Sequence, residues 1–268
     1  MCLIRAIKSE WRKTKRTPFR YIVLLVPILF SLLVISYISI YNINYTFQIK
    51  VYELYFGTIG IALPMVTSIL AGLNIIEEEN AGDFRALLMV PISRKNIYLG
   101  KLFMIILVTI IDMLVSLGIL LVGMKFIFPG IDIQYGVFLQ GTIFGTIGAL
   151  FLYVVYLIIS LNFGIGATIA VGVGGSVSGA LLQTGLGDKV WNFVPWAWSG
   201  RLSSLPCYTL KGFIKFKGLN TIENINEILK KVLMKEIYKG LSIATISFIL
   251  VAIAGMVWFK KWEGRKIR

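Results

Sequence analysis

Acids stand side by side at one place in this sequence, Glu77-Glu78-Glu79. Paired carboxylates serve general acid–base chemistry when a cleft encloses them and shifts their proton affinities. This run leads into Asn80-Ala81-Gly82-Asp83-Phe84-Arg85, a polar stretch with nothing to enclose it. The chemistry it suits is recognition by charge, not bond making. A second acid, Asp112, stands alone inside a long apolar run. A charged Asp at the centre of a bilayer costs about 2.5–3.5 kcal/mol on insertion scales, so Asp112 is expected to face other helices or a wet cavity. Two roles fit it. One is contact with a substrate cation or a proton; the other is a structural acid bonded to Ser, Thr or Tyr on a neighbouring helix. The sequence has no histidine, and its two cysteines, Cys2 and Cys207, are far apart. That leaves no expected metal site. The patterns G-x-x-x-x-G-K-[ST], G-x-S-x-G and H-E-x-x-H are also lacking, so no catalytic residue, no bound cofactor and no enzymatic activity are expected of this chain.

The elements that must position these groups are set by the apolar residues. These make up 57% of the 268 residues, against 15% charged, and they come in blocks. About 20 apolar residues cross a bilayer core as a helix. Six blocks qualify: Tyr21–Ile40, Phe56–Ile75, Leu102–Val122, Val137–Ser160, Gly164–Leu182 and Leu241–Phe259. The net charge of +14 would suit a nucleic-acid binder, but the cations sort by topology instead. Seven Lys or Arg precede the first block, four lie between the second and third, and five follow the sixth. Only Lys50 and Lys125 occupy the two short connections opposite. The positive-inside rule then makes the first side the cytoplasm. Nine basic residues between Gln183 and Gly240 fall on the other side, in a segment long enough to escape the rule. The expected fold is all-α: a polytopic membrane protein of six transmembrane helices with both termini cytoplasmic. It forms one domain over residues 1–268. Residues 1–20 make a cytoplasmic interfacial helix, 76–101 a cytoplasmic segment between spans two and three, and 183–240 an extracellular segment. Membrane lipids are expected partners and nucleic acid is not.

Within that plan, Leu3, Ile4, Ile7 and Trp11 recur at helical spacing with Arg5, Lys8, Arg12 and Lys13 between them. This pattern suits a helix lying on the inner leaflet, though a basic flank that only orients the protein explains the charges as well. Gly141 and Gly145 sit four apart, as do Gly175 and Gly179. Such spacing lets helices approach closely. The first pair is expected to pack within the chain, the second to face another subunit. The aromatic stretch Trp191–Trp198 suits an interfacial or re-entrant element, with Pro195, Trp196 and Trp198 as candidate outer-gate residues. From Ile222 to Ile237 an apolar stripe at helical spacing predicts an outer amphipathic helix, separate from the last span.

The segment between spans two and three carries the sharpest signal. Phe84, Leu87, Leu88 and Pro91 make an apolar edge beside Glu77, Glu78, Glu79, Asp83, Arg85 and Arg94. A short helix of this kind, parallel to the membrane, has the shape to dock into a groove on a soluble protein. The residue order is an acidic run, Gly82, Asp83, Phe84, Arg85, Leu87, Leu88, then Pro91-Ile92-Ser93-Arg94, with Gly100 and Lys101 at the head of the next span. That order resembles the cytoplasmic coupling helix of type-2 ABC exporter permeases. The basic N-terminal helix with Glu10-Trp11, the six spans and the large outer segment are similar too. Within that group, the Val194-Pro195-Trp196 segment and the overall size resemble permease subunits of the lantibiotic immunity (LanE/LanG) type. The resemblance implies a bacterial plasma-membrane permease that pairs with a second homologous permease or with itself. Two copies of a separate ABC ATP-binding protein would supply ATP and Mg, with Phe84, Leu87 and Leu88 inserting into the ATPase groove. The implied cargo is a lantibiotic or other cationic antimicrobial peptide; the alternatives are another cargo, such as a drug or lipid-linked sugar, or a secondary transporter using Asp112.

Overall fold

A computed structural model describes residues 3–15, 17–41, 44, 46–82, 84–89, 92–213 and 225–265, and among them every regular element is helical. In chain order these are α1 (Leu3–Lys13), α2 (Pro18–Ile38), α3 (Phe47–Asn80), α4 (Arg85–Met89), α5 (Arg94–Ile127), α6 (Tyr135–Leu182), α7 (Pro195–Ser204) and α8 (Ile225–Lys261). Short 3-10 turns at Gly185–Gly187, Trp191–Phe193 and Leu205–Thr209 flank α7. Five of the helices, α2, α3, α5, α6 and α8, are long and apolar enough to cross a membrane.

The count differs from the six expected blocks because two of them share α6. Val137–Ser160 and Gly164–Leu182 lie in one helical run of 48 residues, interrupted at Gly164 by φ 83° and ψ −177°. Backbone in that region is open essentially to glycine alone. The path reverses there. Along the first arm, Gly141 packs on Tyr52 and Phe56 of α3, and Phe163 lies beside Ile76 and Glu79. Along the second arm, Ile165 meets Gly72, Gly172 meets Ser68, and Gln183 reaches Gly60. The two arms therefore run in opposite directions along α3, and the second, at 18 residues, spans about 27 Å.

Two further expectations are corrected. The outer amphipathic helix and the last span form one continuous helix, α8, over its described part. Nothing between them breaks a helix, and Gly240 is a packing site against Leu202 and Trp191. Residues Ile222, Glu223 and Cys2 lie outside the described set. Within the aromatic stretch, α7 sits between α6 and α3 with Ala197, Trp198, Ser199, Gly200, Leu202 and Ser203 buried. Small residues make this possible, since Gly145 and Gly148 of α6 lie against Ser203 and Ser199. Gly141 and Gly145 thus pack within the chain, as expected.

By contrast α2 is mostly bare along its apolar flank, with Leu24, Leu29, Leu32 and Leu33 exposed as suits a lipid-facing helix. It is anchored to the bundle by a polar knot in which the hydroxyls of Ser31 and Ser116 lie 2.8 Å apart and that of Tyr55 lies 2.9 Å from Ser116.

Candidate docking site

The inner segment is shorter than expected. Glu residues favour helix, and the acidic run Glu77–Glu79 continues α3 to Asn80 while α5 begins at Arg94. Chain reversal starts where the Ala81 and Gly82 amides donate to the Glu77 and Glu79 carbonyls at 3.1 and 3.2 Å. Gly82 takes φ 118° and Phe84 takes φ 66°. A phenylalanine in the left-handed region is uncommon and costs about 1–3 kcal/mol. Burial of its ring holds it there: Phe84 is 2% exposed, edge-on to Trp262 at 5.1 Å. Ser93 then caps α5, its side chain accepting from the Asn96 amide.

Beneath this reversal lies a closed ring of four charges from α1, α3 and α5. The Lys101 ammonium is 2.7 Å from Glu10 and 2.8 Å from Glu78; that of Lys13 is 2.9 Å from Glu10 and 2.5 Å from Glu78. Asn74 Oδ1, at 3.3 Å, accepts the third Lys101 proton. Lys101 is 1% exposed, and Glu10 and Glu78 are each 6% exposed. Two acids and two ammonium groups cancel, and each carboxylate bridges both lysines, so these charges are compensated despite their burial. Burial works against the Lys13 charge, but Glu10 and Glu78 outweigh it and hold the ammonium above its usual range. The ring fastens α1 to the two helices that carry the loop. Close backbone approach does the same at Gly100, which packs on Ala6.

The end of α8 holds the other side of the segment. Arg94 donates to the Lys260 and Trp262 carbonyls at 3.0 and 2.7 Å, placing a cation on the C-terminal end of that helix. Glu79 pairs with Arg265, whose guanidinium lies against Gly164. The inner turn of the α6 hairpin, the end of α3 and the end of α8 thus meet at one place.

The candidate residues divide accordingly. Glu78, Glu79 and Arg94 are brought together as internal braces, and Glu77 lines a groove with Pro18, Leu73 and Leu87. Phe84 and Leu87 are turned inward, at 2% and 3% exposure. Phe84 packs on Trp262, and Leu87 lines the same groove as Glu77. Among the described residues of α4, Arg85 and Met89 are exposed, the latter at 82%, and Asn80, Ala81, Gly82 and Ser93 are exposed on either side of it. Asp83, Pro91 and the side chain of Leu88 lie outside the described residues. Sequence reading missed the ring of Glu10, Lys13, Asn74 and Lys101. The signal was available: Glu10 is the single acid among seven basic residues before the first span.

At the opposite end of the bundle, Gly175 and Gly179 do not face outward. Both pack on Trp196 of the same chain, whose indole donates to the Tyr156 hydroxyl at 3.0 Å. Pro195 opens α7, and Trp198 is buried, donating to the Trp191 carbonyl at 3.1 Å. Asp112 lines a small cleft of about 90 Å³ with Pro27, Phe30 and Ser116.

No curated protein and no solved structure matches the chain. Residues 6–178, from α1 into the second arm of α6, match the family described as ABC-2 family transporter protein. That stretch holds the charge ring, the chain reversal and the α6 turn, and the chain belongs to the ABC-2 transporter family.

Proposed function

We propose that this chain is the permease subunit of an ATP-driven ABC transporter in a bacterial plasma membrane, with α4 as its coupling helix. Membership of the ABC-2 family supports the permease role and the need for an ATP-binding partner. The observation that carries the reading is the ring of Glu10, Lys13, Glu78 and Lys101, three of them buried, beneath a loop on which α4 exposes Arg85 and Met89 among its described residues. A partner pushing on Arg85 and Met89 moves a braced unit, since α1, α3 and α5 are tied together. The reversal at Gly164 supports counting α6 as two of six crossings, and the basic residues of α1 favour both termini in the cytoplasm. Two copies of the ATP-binding protein, holding ATP and Mg, sit beneath a pair of permeases, either two of this chain or this chain with a homologue.

The cargo is a lantibiotic or similar antimicrobial peptide, expelled or lifted from the membrane in self-protection. Support for the cargo is the likeness in plan and in the Val194-Pro195-Trp196 segment. Cells with and without the protein are compared for survival against a panel of lantibiotics. Selective protection against at least one is expected; equal survival across the panel rejects the cargo. Transport of another amphiphile is the second reading, favoured by the excess of basic over acidic residues in the segment 183–240, nine against four.

A further inference from the structure

A cleft of about 760 Å³ opens at the end of the bundle away from α4, between the turn Leu205–Thr209, the residues after it, and the first turns of α8. Its walls are apolar: Phe144, Leu210, Phe213, Leu233, Ile237 and Leu241. Its rim carries Lys211 and Lys230, and no acid is among the described lining residues. Lys211 pairs with Asp132 at 2.7 Å, but both side chains are more than three-quarters exposed. A contact of that kind is weak and readily exchanged. Lys230 is exposed, and Lys231, Lys235 and Lys239 extend the same charge along α8. The volume falls in the range of small-molecule sites.

Apolar walls beneath a cationic rim select a molecule with a hydrocarbon tail and an anionic head. A cationic peptide meets the wrong charge at the rim, and a zwitterionic lipid brings a quaternary ammonium beside its phosphate, which offsets the attraction to the two lysines. We propose that this cleft binds an anionic phospholipid, with its acyl chain between Phe213 and Leu233 and its phosphate at Lys211 and Lys230. The site's assignment to the outer leaflet rests on the orientation proposed above; the binding itself does not.

The full chain in neutral detergent is exposed to equal amounts of phosphatidylglycerol and phosphatidylcholine, and the retained lipid is counted by native mass spectrometry. Phosphatidylglycerol is expected to be retained about five-fold over phosphatidylcholine, the preference two exposed charge contacts supply. The double variant Lys211→Gln/Lys230→Gln removes that preference and leaves phosphatidylcholine retention unchanged; both residues are exposed, so its melting temperature matches the parent. Leu233→Trp, which narrows the cleft opposite Phe213, lowers retention of both lipids. Equal retention of the two lipids by the parent overturns the proposal, as does full preference in the double variant or undiminished retention in Leu233→Trp. Association with an ATP-binding partner is measured on the same variants and stays intact, so failure here is separate from failure of the permease reading.

Discussion

Lys101 is the residue on which the inner face depends most. Its ammonium is 1% exposed and holds Glu10, Glu78 and Asn74 together. Lys101→Met leaves two buried carboxylates with Lys13 alone, and the cost of breaking such a buried pair is about 3–5 kcal/mol. Thermal unfolding in detergent should show a large fall for Lys101→Met. Adding Glu78→Gln leaves one acid opposite one lysine, and the double variant should recover part of the loss; a double variant as unstable as the single argues against the ring. Asp112 behaves differently. Its carboxylate lines a cleft of mostly apolar side chains, where charge is costly. Asp112→Asn should therefore unfold no earlier than the parent, with ATP-driven transport retained. Loss of transport with the partner ATPase still bound favours the secondary-transport alternative.

Among the elements, the α6 hairpin is the least usual, because its reversal rests on one residue. Gly164 occupies backbone that a side chain resists, and a Cβ there would run into Arg265. Gly164→Ala is expected to destabilise by about 1–3 kcal/mol, read as an earlier melt; an unchanged melt shows that the turn tolerates a side chain. Helix α7 depends on the second arm in the same way. Gly175→Leu collides with the Trp196 indole and should unseat α7, making Trp196, half-buried in the parent, more accessible to an aqueous quencher. Apolar blocks and spacing made most of these elements legible in the sequence. The reversal was expected as two separate spans, since block boundaries near Gly164 do not reveal that helix continues on both sides. The continuity of α8 was hidden because an amphipathic stripe and a fully apolar run have different patterns while nothing between them stops a helix.

On the scale of the whole molecule, the inner face is a brace and the opposite face a set of closely packed small residues around α7. The sequence order from Glu77 to Arg94 made the docking segment legible, but not which side chains do the docking. Phe84 and Leu87 read as an outward apolar edge, because nothing local announces that Phe84 packs on Trp262, nearly 180 residues later, or that Leu87 lies beside Leu73 and Pro18. Packing at that range is decided by tertiary contact and has no periodic signature. The proposed coupling assigns the partner contact to Arg85 and Met89, which α4 exposes. The direct measurement is the affinity of the purified ATP-binding partner for this chain and for Arg85→Glu/Met89→Asp, with melting temperatures taken alongside. Both residues are exposed, so the double variant should fold as the parent does. The account predicts at least a ten-fold loss of affinity, about 1.4 kcal/mol, at an unchanged melting temperature. Affinity equal to the parent's would contradict it.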